Sequence, residues 1–235
     1  MDNTDSNKKG ISPGAAIVVA GVLIAGAIIF SNSNSSPTPS PTNNENTAKN
    51  TISLSDLAKK AGVDQKAFDT CVEERKSLAK VNEDSEGGEK AGVQGTPTSF
   101  IVSKNGTIIS IGGAASYTEV KEKLDKVLAS TSRLSDSEDV EVPAVTAQDR
   151  YLGNINADVM IIEYSDIDCP FCKKFHPTLE RISQEYGSKI AWVYRNFPLE
   201  SLHPEARTKA EAAECVGQIA GNDVYWKYLK TLISN

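Results

Sequence analysis

The chain has 235 residues, 39% hydrophobic and 24% charged, enough for one globular domain of ordinary core size plus non-globular sequence. Its net charge of -6 leaves no broad basic surface, which argues against nucleic acid as a partner. It contains no internal repeat and no nucleotide-binding glycine motif.

Residues 13–30, "PGAAIVVAGVLIAGAIIF", lack any charged or hydrogen-bonding side chain. As a helix they would span roughly 27 Å at about 1.5 Å per residue, enough for a slightly thin bilayer. A cleaved signal peptide would need a small-x-small site, which "IIFSNSN" does not offer. Lys8 and Lys9 precede the span and no Lys or Arg follows until Lys49, so residues 1–12 are expected in the cytoplasm. Everything after residue 30 is then a single-pass protein's extracytoplasmic part. Residues 31–50 are Ser, Thr, Asn and Pro with almost nothing to bury, and read as a flexible tether.

From residue 53 to 81 apolar residues such as Phe68, Val72 and Leu78 recur at helical spacing, giving two helices broken near Gly62. "TSFIVSKNGTIISIGG" follows as two strands joined through Asn105-Gly106, a strong hairpin signal. Ser116 then caps a helix with Val120, Leu124, Val127 and Leu128 on one face. Residues 130–148 are polar and acidic around one short apolar patch and read as a long connection. "DVMIIEYSD", a helix over 170–186 and "KIAWVYRNF" form a strand, helix, strand unit, which implies a parallel pair with the helix packed on the sheet. Helices at about 204–219 and 223–233 complete the chain.

Within "SDIDCPFCKKFHP", Cys169 stands at a helix N-cap, Pro170 at the first helical position and Cys172 on the same side. The expected buried stripe is Phe171, Phe175, Leu179 and Ile182, with Lys173, Lys174 and Arg181 toward water. Unpaired N–H groups and the helix dipole at that end stabilise a thiolate, and thiolates both attack disulfides and leave from them. Cys169 is therefore the expected nucleophile and Cys172 the resolving thiol. Zinc would need four ligands, and Cys71, Cys215, His176 and His203 stand singly and far apart, so no metal or other cofactor is expected. Cys71 and Cys215 lie on separate helices, either as small buried residues or as a bond between helices, the reading favoured outside the cytoplasm.

Glu163 sits in an apolar strand six residues before Cys169. It is either a strand-end carboxylate facing water or a partly buried acid that exchanges a proton with Cys172. His176, His203 and Asp168 read as solvated or helix-end residues. Thr96-Pro97, flanked by Gly95 and followed by a strand, is a turn; a cis bond there would be a costly feature with a local reason, such as presenting backbone groups to an extended peptide beside Cys169.

Taken together, "VMIIEYSDIDCPFCKKFH", "WVYRNFPLESLHPEA", "AAEC", "LAKKAGVDQKAFDTCV" and "AGVQGTPTSFIV" resemble the DsbA-like thiol-disulfide oxidoreductases. The resemblance implies an α/β thioredoxin-like fold with an inserted helical subdomain. It further implies Cys169 as nucleophile, Cys172 as resolving thiol, Glu163 as buried acid, Thr96-Pro97 as cis-proline loop and, as in some members, a Cys71–Cys215 bond. Residues 51–92 and 204–235 would form the helical subdomain, 93–129 and 143–203 the thioredoxin core, and 130–142 a linker. The family's usual order is reversed here, as in a circular permutation whose old ends are joined by residues 130–148. About 19 residues reach roughly 60 Å when extended, so closure is easy. The expected function is a membrane-anchored oxidase that donates disulfides to exported proteins and is reoxidised, by resemblance, by a quinone-linked membrane partner. A reductase or isomerase uses the same chemistry in reverse, and a tethered binding or chaperone domain with structural cysteines is the non-catalytic alternative.

Overall fold

Ser53, Asp64 and Ser116 each accept a hydrogen bond from the backbone N–H three residues on, that of Asp56, Ala67 and Glu119, satisfying a donor that a helix start leaves unpaired. They open three of seven helices in a computed structural model that describes residues 53–234. The expected tail (1–12), membrane anchor (13–30) and tether (31–50) lie outside the described residues. Among the described residues no helix is long and apolar enough to cross a membrane.

In chain order the elements are α1 (Leu54–Lys60), α2 (Gln65–Glu73), α3 (Leu78–Lys90), β1 (Thr98–Ser103), β2 (Ile108–Gly112), α4 (Tyr117–Leu128), β3 (Arg150–Gly153), β4 (Val159–Ser165), α5 (Pro170–Tyr186), β5 (Ile190–Asn196), α6 (Ala206–Ala220) and α7 (Asn222–Ser234). The mixed α/β fold is thioredoxin-like, with five strands in the order β2-β1-β4-β5-β3. β4 and β5 are parallel, as the crossover through α5 requires, and the other three pairings are antiparallel.

Alternation along the strands divides two cores. Ile101, Ile161, Trp192 and Tyr194 point into the larger one, with Val120, Leu124 and Val127 of α4, Phe175, Leu179 and Ile182 of α5, and residues of α6 and α7. Phe100, Ile162, Tyr164, Val193 and Phe197 face the other way. α3 closes on that second face so tightly that a Cβ at Gly88 would come within 2.6 Å of the Phe197 ring and 2.9 Å of Tyr164. Glycine is thus required for close approach, although it weakens a helix interior.

Three sequence expectations need correction. The region before β1 holds three helices rather than two: the second expected helix is interrupted between Glu73 and Leu78, where Arg75 has a φ of 50°, and α3 then runs on through "NEDSEGGEK" to Lys90. Phe171 does not join the buried stripe of α5: it is 63% exposed, while Cys172, Phe175, Leu179 and Ile182 are buried. Residues 130–148 are more than a connection. Glu138 N donates to Ile108 O, its carboxylate accepts from Ser110 N, and Ser137 Oγ accepts from Ile108 N, so the segment covers the outer edge of β2. Val140, Val142 and Val145 then pack on the second core, and the strap is fastened where Arg195 donates to Pro143 O, Ala144 O and the Asp149 carboxylate.

Candidate active site

Cys169 lies at the C-terminal end of the sheet, where β4 gives way to α5. It is the N-cap of α5, Pro170 follows at the first helical position, and Lys173 N donates to Cys169 O. Proline fits because its missing N–H would have had no helical partner. The register of β1 against β4 pairs Thr98 with Tyr164, bringing the loop before β1 to the same end of the sheet. Thr96-Pro97 is cis, and the Cys169 thiol donates to Thr96 O at 3.4 Å across 73 residues of sequence. Both thiols are free and almost wholly buried, and Phe171 stands exposed between them in sequence.

Cys172 Sγ accepts a long hydrogen bond from Asp166 N, 3.5 Å. Burial pushes its thiol far above the ordinary range, and the neighbouring Glu163 carboxylate adds to the rise. Glu163 is completely buried beneath it. In register it lies between Ser99 of β1 and Tyr194 of β5, on the face that α5 covers. Burial raises its pKa to about 7, against the hydrogen bonds from Ser165 and Trp192 that favour the anion. The Trp192 Nε1–H donates to Oε2 at 3.0 Å, while Oε1 is left without a partner. A nearly neutral-pH acid below a protonated thiol can take that thiol's proton or return it.

Sequence reasoning missed Asp166. Its carboxylate accepts from Asp168 N (2.8 Å), Leu199 N (2.7 Å) and, at 2.9 Å, pairs with His203 Nδ1, so it ties the turn before Cys169 to the loop after β5. The first bond is an Asx-type turn, for which "Asp-Ile-Asp" was the available signal. His203 therefore touches the framework of the site without approaching either sulfur in any hydrogen bond, and Asp168 pairs with Lys209 at 2.6 Å. His176, expected in water or at a helix end, is instead buried, and burial lowers its pKa to about 4. Its ring packs on Trp192, 4.8 Å between centroids. Cys71 and Cys215 are bonded, joining α2 to α6. Among the described residues no group of three or more His, Cys, Asp or Glu side chains is placed to hold a metal ion.

A family model described as "DSBA-like thioredoxin domain" matches residues 42–125, and one described as "Thioredoxin" matches residues 145–235. Among curated proteins the chain is 30% identical over 139 residues to Na(+)/H(+) antiporter NhaA 3 of Salinispora tropica, covering 56% of this chain and 21% of that protein. It is 31% identical over 97 residues to Na(+)/H(+) antiporter NhaA 1 of Salinispora arenicola, covering 41% and 14%. The chain thus spans about a fifth or less of the length of these relatives. A crystal structure of Pseudomonas aeruginosa DsbA2 aligns at 29% identity and a TM-score of 0.36, over 40% of this chain and 50% of that one.

Proposed function

We propose that this chain, which belongs to the DsbA-like family of thiol-disulfide oxidoreductases, exchanges disulfides with exported proteins through Cys169 and Cys172 on the outer side of a membrane. One observation carries the proposal: a thiol at a helix N-cap hydrogen-bonds to the backbone before Pro97, with a second thiol and a buried acid behind it. In the donating direction a client thiolate attacks Cys169 of the Cys169–Cys172 disulfide, and Cys172 leaves as a thiolate. Protonated Glu163 returns a proton to it. A second client thiolate then attacks the client sulfur of the mixed disulfide, forming the client's disulfide and releasing Cys169 as a thiolate. The exposed Phe171 and the cis-proline loop flank the attacked sulfur as a peptide-docking edge.

The Cys71–Cys215 bond supports an oxidising compartment. So does the apolar span at 13–30, which as a membrane anchor would hold the domain outside the cytoplasm, within reach of a quinone-linked membrane oxidase that restores the Cys169–Cys172 disulfide. The halves of the domain are in permuted order: β1, β2 and α4 precede β4, α5 and β5, with residues 130–148 joining the old ends. In support, α7 and α1 meet, the Tyr228 hydroxyl donating to Leu54 O at 3.0 Å. A cut between α7 and α1 therefore leaves the sheet and its site intact.

The test is Cys172→Ser in the full chain, oxidised with glutathione disulfide and mixed with an unfolded secretory protein that carries a single reduced cysteine and so cannot resolve the adduct itself. The variant is expected to accumulate a mixed disulfide through Cys169, while in the unaltered chain Cys172 attacks Cys169 and releases the client, and Cys169→Ser forms no adduct. Equal adduct at the two serine variants, or none at either, would rule out exchange at this site. The equilibrium against glutathione, where about 30 mV is tenfold for a two-electron couple, fixes the direction: an oxidising potential is expected, and a reducing one would replace the donor role by a reductase role.

A further inference from the structure

The partners of Glu163 are unusual in containing no cation. From β5, Trp192 donates its indole N–H to Oε2 and Tyr194 lies directly alongside in register; from β1, Ser99 lies on the other side. Ser165 stands two residues on in the same strand, on the same face. From α5 come Cys172 and, edge-on to Trp192, the buried His176, whose low proton affinity leaves it uncharged at neutral pH. α7 supplies Trp226, 4.7 Å from Trp192 between ring centroids. Among the described residues no Lys, Arg or His forms an ion pair with Glu163; its charge is countered only by neutral donors.

We propose that Trp192 is the positioning residue of the exchange reaction: its indole N–H fixes Oε2 of Glu163, turns Oε1 free for the proton of Cys172, and sets how firmly that acid holds the proton. The inference deepens the exchange function above and rests on it. When the reduced protein reacts with glutathione disulfide, the Cys169 thiolate attacks one of its sulfurs, the glutathione S–S bond breaks, one glutathione leaves as its thiolate, and Cys169 holds the other in a mixed disulfide. The Cys172 proton then passes to ionised Glu163, Cys172 Sγ attacks Cys169 Sγ, the Cys169–glutathione bond breaks, and glutathione leaves as its thiolate. The resolving rate therefore rises with pH through the titration of Glu163. Besides the indole, the Ser165 hydroxyl also favours the anion, but a hydroxyl can rotate away whereas the indole is held rigidly. Trp192 is fully buried, its ring packs against both His176 and Trp226, and its Nε1–H can do little but donate to the carboxylate 3.0 Å away.

Removing a hydrogen bond to a buried anion raises its proton affinity, here by about one pH unit. Trp192→Phe, which keeps an aromatic ring and loses the N–H, is expected to shift the pH midpoint of the resolving step upward by that amount. At pH 7 the ionised fraction would fall from about half to about a tenth, slowing resolution roughly fivefold. A measurement on the unaltered chain guards against a variant that fails to fold. The sequence contains two tryptophans, so the full reduced chain labelled with ¹⁵N only at tryptophan gives two indole signals. The Trp192 signal should titrate with a midpoint near that of Glu163 and stop titrating in Glu163→Gln. The Trp226 indole, which has no partner, is the internal reference. A Trp192 signal that ignores Glu163, or a Trp192→Phe midpoint that does not move while Glu163→Gln abolishes the pH limb, overturns the role of Trp192. A pH limb that survives Glu163→Gln overturns instead the role of Glu163 in the exchange reaction, and the inference with it.

Discussion

Replacing Asp149 by alanine is expected to destabilise the folded chain by about 3–5 kcal/mol, the usual cost of leaving a buried charge without its partner. Asp149 is buried, and its carboxylate accepts from Arg195 Nε at 3.0 Å, Arg195 Nη2 at 3.3 Å and Thr146 N at 2.7 Å, with Lys80 Nζ at 3.4 Å. Burial alone would raise its pKa, but Arg195 and Lys80 outweigh burial and hold it below the ordinary value. Without it the Arg195 guanidinium keeps only neutral acceptors, Pro143 O, Ala144 O and the Tyr164 hydroxyl. Urea unfolding of the full chain measures the loss, which corresponds to roughly 6–20 °C in melting temperature for a domain of this size. Asp149→Ala combined with Arg195→Met should recover part of it, since the orphaned charge goes too. A loss under about 1 kcal/mol, or a double variant as unstable as the single one, would mean that the strap is not anchored here. The consequence reaches the site, because Arg195 is two residues from Phe197, whose N–H donates to Ser165 O, and four from Leu199, whose N–H holds Asp166.

Local signals made most of this architecture legible. The ends of α5 follow from Cys169-Pro170 at one side and Gly187 at the other, and the β1–β2 hairpin follows from Asn105-Gly106. What escaped depends on contacts distant in sequence. The buried Arg195 has its carboxylate 46 residues earlier, and nothing local in "AWVYRNF" announces that partner. β3 is four residues long at the sheet edge, too short for its alternation to stand out. The strap's Val140, Val142 and Val145 sit among acids and Ser, so their burial depends on a sheet face the sequence does not display locally. Phe171 went the other way: helical periodicity assigned it to the core, yet it is in water while Cys169 and Cys172, on either side of it in the same turn, are buried. For the site, the two cysteines and Glu163 could be singled out by residue type, whereas Trp192 looked like one more apolar residue of a buried strand. Its function lies in one N–H, visible only once β4 and β5 are paired.

Glu163→Gln is expected to stabilise the chain above pH 7 by up to about 3 kcal/mol and to leave it unchanged below about pH 4.5. The carboxyl titrates near its ordinary value of 4.5 in the unfolded chain and at about 7 when folded, where burial penalises the anion. Below 4.5 both states hold the proton, so the group contributes nothing. Between 4.5 and 7 the unfolded state releases the proton while the folded state retains it, and stability falls as pH rises. Above 7 both are ionised and the penalty is complete, about 1.4 kcal/mol for each unit between the two values. Glutamine has nearly the same shape and no charge, and its amide oxygen can still accept from the Trp192 indole. Urea unfolding of the reduced variant and unaltered chain at pH 4.5, 6 and 8 should therefore show a gain that grows with pH. A difference independent of pH would mean that Glu163 is not ionising against its surroundings. The same substitution should slow disulfide exchange by about a hundredfold, the lower end of what a positioned proton carrier contributes. A group that costs stability at the pH of use while speeding proton transfer is retained for the reaction rather than for the fold.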